Sequence, residues 1–180
     1  MAELARLSFE ASSLAGPLDE AQFNWQPDGG RAWSVGQCLD HLTRASRIYL
    51  DALEDAVRGA RPAGDSPAAA LQPGRLGRWF LSSLEPPARI KFRAPQKIVP
   101  PSRCPKQATL VAFAGEQQRV IELVRASARI DCNSVRFKNP LAYGLSTFNV
   151  ATGLLVIPAH ERRHLEQARQ VVARADFPST

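Results

Sequence analysis

The apolar positions of this chain fall into four stripes at helical spacing, separated by stretches that carry no such period. Leu4, Leu7, Leu14 and Leu18 recur near 3.6 residues, with Phe9 and Ala11 widening the face, and predict a first helix over 2–22. Gly16-Pro17 falls inside it and predicts a kink or an early end. Asn24 to Arg31, with Pro27, Asp28 and two glycines, reads as a turn. A second stripe runs through Val35, Cys38, Leu42, Ala45, Ile48, Ala52 and Leu53. Ser34 is its N-cap and Gln37 completes a capping box; the helix should reach Val57 and stop at Gly59. A third helix is predicted from Lys106 to Ala128, with Leu110, Phe113, Val120, Ile121 and Val124 on one face and Gln117-Gln118 breaking the stripe. The fourth, capped by Ser146 or Thr147, should run to Ala173, kinked by Pro158.

Between the second and third stripes the texture changes. Nine of the fourteen prolines lie within 61–105, a density that no long regular element survives. One short helix fits there, from Arg75 to Leu84, with Leu76, Trp79, Phe80 and Leu84 turned inward. Asp131 to Leu145 is a second irregular stretch. Four long amphipathic helices with little strand signal predict an all-α four-helix bundle, a single domain over 1–180 with 61–105 as an irregular insert. The insert is long enough to return along the bundle, as a lid or as a crossover that leaves the second and third helices parallel.

Composition changes this picture little. The chain is 44% apolar and 22% charged, the balance of an ordinary globular protein. No apolar run approaches the ~20 residues of a membrane span, and the N-terminus is charged and amphipathic, so we expect a cytoplasmic protein without a membrane partner. Cys38, Cys104 and Cys132 are widely spaced and form no paired motif, which suits reduced thiols. Cys38 lies near His41 in sequence, but free cysteine in an apolar stripe reads first as core.

The chemistry concentrates in three histidines. His160 and His164 stand four residues apart and continue the apolar stripe of the fourth helix, so both rings share one buried face. His41, the remaining histidine, lies on the apolar stripe of the second helix. Spacing alone leaves two readings: satisfied core imidazoles, or a three-histidine metal site with open coordination positions. Asp40 and Glu161 each adjoin a histidine, but adjacent helix positions point about 100° apart. They fit an outer role, or a base acting through a water, better than direct ligation. Gln167, one turn past His164, is a candidate to orient a ligand. Trp25 and Trp33 read as packing around the turn rather than as a substrate platform.

The net charge of +6 has its densest patch in the insert. Arg75, Arg78, Arg89, Lys91, Arg93, Lys97, Arg103 and Lys106 have only Glu85 as an acidic neighbour within that run. A solvated face is the plain reading. Of two sharper ones, we favour a cationic lid in which Arg89, Lys91, Arg93 and Lys97 hold an anionic substrate or thiol. A specific nucleic-acid partner is not expected, because no groove-entering element or stacking motif is visible.

Three motifs then carry a family resemblance: W-S-x-G-Q-x-L-D-H-L (Trp33 to Leu42), N-P-x-x-Y-G-L-S (Asn139 to Ser146) and H-E-R-R-H-L-E-Q (His160 to Gln167). Their order resembles the DinB/YfiT-like superfamily. That resemblance implies an up-down-down-up four-helix bundle, often a homodimer. It implies a divalent metal, usually zinc or nickel, on His41, His160 and His164, with Gln167 matching a glutamine often found there. It also implies transfer of a low-molecular-weight thiol, such as bacillithiol, mycothiol or glutathione, to a small-molecule electrophile; other members are described as metal-dependent hydrolases. The proline-rich basic insert and Pro158 depart from the family pattern and bear on the substrate.

Overall fold

The computed structural model describes residues 1–64, 69–86, 93–142 and 146–179. Among these the chain is mostly helical. Its α-helices are α1 (Ala2–Ala15), α2 (Glu20–Asn24), α3 (Pro27–Gly30), α4 (Val35–Arg58), α5 (Arg75–Leu84), α6 (Lys106–Ser127) and α7 (Val150–Val172). Two three-residue strands, β1 (Arg136–Lys138) and β2 (Thr147–Asn149), pair antiparallel with Phe137 opposite Phe148.

The predicted first helix divides. It ends at Ala15, and Asp19 restarts the chain as α2 through a capping box with Gln22. The single turn of α3 contains left-handed Asp28 and Gly29, as the turn composition required. In α4 the predicted capping box is present: the Gln37 amide donates to Ser34 Oγ at 3.1 Å, and the Ser34 amide donates to Gln37 Oε1 at 3.0 Å. Gln37 also donates to the Pro101 carbonyl, tying the start of α4 to the end of the insert.

Four expectations are corrected. Asn149 caps α7, not Ser146 or Thr147, because 147–149 is the strand β2. Asp131 to Leu145, read as irregular, contributes β1. Leu76 and Trp79 do not turn inward; they are 49% and 56% exposed. The inward face of α5 is set instead by Gly77, where a Cβ would stand 2.4 Å from Thr152 Oγ1, so α5 lies against α7 on its glycine and turns Leu76 and Trp79 out. Phe9 likewise is 73% exposed and does not widen the α1 face, whereas Ala11 is buried. Pro158 sits within α7, which continues on both sides of it.

Side-chain pairs fix how the long helices register. Arg47 meets Glu116, and Asp51 and Glu54 both meet Arg119, so positions on α4 and α6 advance together. Glu3 pairs with Arg162 and Glu10 with Arg169, so α1 and α7 advance together as well. Against α7, α4 runs the other way: His41 faces His160, and a Cβ on Gly153 would touch Leu53. The core divides into two apolar clusters, one around Leu50, Leu53 and Val150, the other around Leu7, Leu42 and Leu165. The histidines sit on α4 and α7 where these clusters meet.

Candidate metal centre

His41 lies two turns into α4, and His160 and His164 lie on successive turns of α7. Their nearest ring nitrogens all fall within 4.8 Å of one another. The ring centroids of His41 and His164 are 4.5 Å apart, and those of His160 and His164 4.6 Å apart. The two readings left open by spacing are therefore narrowed to a converged group of three imidazoles able to hold a metal ion.

Hydrogen bonds fix which nitrogen of two rings faces inward. His41 Nδ1 lies 2.8 Å from the Ile98 carbonyl oxygen. A carbonyl only accepts, so Nδ1 carries the proton and Nε2 keeps its lone pair. His164 Nδ1 lies 3.0 Å from Gln167 Oε1, which by the same argument leaves the His164 Nε2 lone pair free. His41 Nε2 and His160 Nε2 are 3.2 Å apart. At that distance two ring nitrogens share either a proton or a cation. A tetrahedral ion with metal–nitrogen bonds of ~2.0–2.1 Å holds its ligand atoms about 3.3 Å apart, so the pair is already at ligand spacing.

Electrostatics favour the same state. Burial first, and mutual repulsion second, hold His160 well below the ordinary imidazole value; burial and His41 bring His164 down to about 3. Burial also lowers His41, opposed by the Ile98 hydrogen bond and by Asp40. All three rings are neutral at pH 7, the form that ligates metal. Three neutral ligands leave a divalent ion its full charge.

The histidines open on a cavity of about 930 Å³ walled by α4, α5, α7 and the segments around 93–98 and 139–141. Of the residues singled out in the sequence, Gln167 and Arg93 line it. Lys97 donates to the Pro140 carbonyl and so ties the insert to the 139–141 segment. Arg89 and Lys91 lie outside the described residues. Asp40 pairs with Arg44 on the outer side of α4. Glu161 is fully buried, and Gln117 donates to its Oε1 at 2.6 Å; neither Asp40 nor Glu161 is among the residues that line the cavity. Cys38 is buried in core, its thiol pushed far up by burial.

Four contributors escaped the sequence. Trp33, read as packing, lines the cavity and stacks on His164 at 5.7 Å and 29°, with His41 at 4.7 Å. Arg31 and Arg163 also line it, and Arg163 Nη1 donates to the Ser83 carbonyl at 3.0 Å. Glu166, an acid on the wall, is paired with Arg169. The wall chemistry is thus cationic beside the histidines.

A family model described as the DinB superfamily matches residues 4–168, most of the chain. No curated protein and no solved structure matched.

Proposed function

Because this chain belongs to the DinB superfamily, we propose that it is a metal-dependent enzyme that transfers a low-molecular-weight thiol to a small electrophile. One observation carries the reading: His41 and His164 each have Nδ1 bound to a carbonyl-type oxygen, so their free lone pairs and His160 converge at the wall of a cavity large enough for two small molecules. A divalent ion held there, zinc or nickel as the family resemblance implies, would lower the pKa of a thiol or a water so that the anion exists near neutral pH. The protein's own groups do the rest. Ile98 and Gln167 orient two ligand rings, Trp33 shields two rings on one side, and Arg31, Arg93 and Arg163 supply charge-assisted hydrogen bonds to the carboxylates of an anionic thiol. Arg163 stands in this list where the sequence had offered only insert cations.

The registers of α1, α4, α6 and α7 support the up-down-down-up arrangement as part of this proposal. So does a crossover role for the insert, whose Ile98 and Pro101 carbonyls bind α4. We also propose a homodimer and a cytoplasmic setting. Three unpaired buried cysteines support a reducing compartment, and no helix among the described residues is long and apolar enough to cross a membrane.

The test is a panel of glutathione, mycothiol and bacillithiol against a chromogenic haloaromatic and an epoxide, with ester and amide hydrolysis in parallel. Thiol-dependent turnover that requires the metal and His41 supports the proposal. Metal-dependent hydrolysis without thiol dependence replaces it with the water-activating alternative. Silence in both with metal bound favours a binding bundle.

A further inference from the structure

The cavity wall carries neutral polar groups as well as histidines and arginines. Besides His41, His164 and Tyr49, the buried polar side chains on it among the described residues are Ser46 and Asn139. A serine hydroxyl turns to donate or to accept, so Ser46 says little about a ligand. Asn139 says more, because one end of its carboxamide is already committed.

Asn139 Oδ1 accepts from the Leu141 amide at 3.0 Å, which closes the turn that opens Pro140–Ala142. The Asn139 backbone amide donates to the Ser146 carbonyl at 2.8 Å, so the residue is held from both sides. The Leu141 bond also settles which atom is which, since only the oxygen accepts from an N–H. Nδ2 is left on the other branch of the planar carboxamide, with no hydrogen-bond partner among the described residues. Two unpaired side-chain atoms among those residues are sealed from solvent, the Tyr49 hydroxyl and Glu161 Oε2. Asn139 Nδ2 is not one of them: the residue is 3% exposed, and it lines the cavity. Serine or threonine makes the same kind of turn without an amide nitrogen, so the fold uses the oxygen alone. The insert braces this wall beside the α4 imidazole, because Lys97 donates to the Pro140 carbonyl while its neighbour Ile98 presents a carbonyl to His41.

We propose that Asn139 Nδ2 faces the cavity as the donor that anchors the electrophile, through a neutral oxygen acceptor such as a carbonyl on the substrate's body. This rests on reading the cavity as the place where the electrophile binds. The chemistry selects the class. An amide carries no charge and does not offset the desolvation of a carboxylate. Arg31, Arg93 and Arg163, on the same cavity, are the groups that do. With those cations serving the anionic thiol, the neutral donor is left to the uncharged co-substrate. Ala45, Leu141, Val156 and Ile157 supply apolar wall for its carbon body.

The experiment titrates acetophenone and ethylbenzene, which share a body and differ in the carbonyl, into the metal-free full chain. Nitrogen–proton correlation NMR reads both affinities and the Asn139 side-chain amide, whose signal is identified by its loss in Asn139→Ser. In wild type the ketone should bind more tightly than ethylbenzene and should shift that amide signal further. Asn139→Ser keeps an oxygen for the Leu141 amide and removes the donor; Asn139→Asp keeps the oxygen and puts an acceptor in the donor's place. In both, the ketone-over-alkyl preference should fall at least about threefold, the ratio of a net neutral hydrogen bond, with ethylbenzene affinity within about twofold of wild type. Absence of binding in wild type, no preference for the ketone, an unmoved Asn139 signal, or a preference that survives in both variants each overturns the proposal. Equal loss of both ligands in the variants also overturns it, since Asn139 would then only support the wall. Benzoate affinity should change less than about twofold in Asn139→Ser; a loss as large as the ketone's would give the amide to an anion and overturn the class. Metal content of the protein before chelation tests the metal reading separately, and its failure leaves the ketone comparison intact.

Discussion

The Ile98 carbonyl and His41 Nδ1, fifty-seven residues apart, meet at 2.8 Å and set the tautomer of the α4 imidazole. The contact makes the proline-rich insert part of the candidate metal centre. Ile98 itself is buried, in a 3₁₀ turn over Gln96–Ile98 that delivers its carbonyl. Ile98→Ala should therefore do two things at once. Loss of a buried branched side chain should cost about 2–4 kcal/mol in denaturant unfolding. Loosening of the turn should also weaken metal binding about tenfold in a chelator competition, the lower range for removing a partner of a ligand. Lost stability with unchanged metal affinity would separate the insert from the site.

The metal itself gives a second expectation. Protein purified without chelator should carry about one divalent ion per chain by elemental analysis, since three imidazoles converge once among the described residues. His160→Ala and His164→Ala should each lose it. Gln167→Ala should retain the ion with affinity reduced about 10–100-fold, because His164 loses the acceptor that fixes its ring. Full metal retention in both histidine variants would sink the assignment.

Much of this was legible in the sequence because its signals are local. The His160–His164 spacing and the Ser34–Gln37 capping box each lie within two helical turns, and the stripe through Leu42 repeats at each turn of one helix, where period and cap chemistry apply. What was missed is non-local or too short. A three-residue strand such as β2 shows no alternation, so Asn149 was not distinguishable as the cap of α7. Arg163 adjoins His164, and the adjacency argument that set aside Asp40 and Glu161 would set it aside too. It enters because α5 also walls the cavity, and the Ser83 carbonyl there accepts from its guanidinium. Trp33 stacks on His164 only because α4 and α7 cross at the site, a fact of packing that no stripe records.

Metal affinity should depend on pH less than an ordinary imidazole site does. Protons compete with metal only below the folded-state pKa of each ring, and burial lowers all three. Three unperturbed imidazoles lose affinity as pH falls through about 6.5. Here isothermal titration at pH 8, 7 and 6 should give nearly constant affinity after buffer correction. A steep fall between pH 7 and 6 would contradict neutral, buried rings.

Arg163 offers a test of the anionic co-substrate. Its guanidinium lines the cavity beside the histidines, and burial lowers its pKa without discharging it. A charge-assisted hydrogen bond contributes about 1.5–3 kcal/mol, so Arg163→Gln should weaken glutathione binding roughly tenfold or more. Binding of the uncharged thiol 2-mercaptoethanol should not change. Equal effects on both thiols would mean that the side chain supports the wall through Ser83 rather than meeting a carboxylate.

Glu161 carries a last prediction, on stability. Its carboxyl is wholly buried between α6 and α7, with one oxygen accepting from Gln117 and the other unpartnered. Burial raises its pKa to about 7 from an ordinary 4.5, opposed by Gln117. The folded state therefore binds a proton that the unfolded state has already released between those two values. Stability from this group is fully present below about pH 4.5 and is lost as pH rises through about 7. The lowered histidines act with the opposite sign, losing stability as pH falls below about 6.5, so the effect must be isolated by substitution. Glu161→Gln keeps a carbonyl for Gln117 and removes the ionisation. Relative to wild type it should gain about 1–3 kcal/mol at pH 8 and stay within about 1 kcal/mol at pH 5, read from urea unfolding. A gain of equal size at both pH values would show that volume or polarity, not ionisation, governs the site. A loss at pH 8 would mean that the charged carboxylate has a partner in solution.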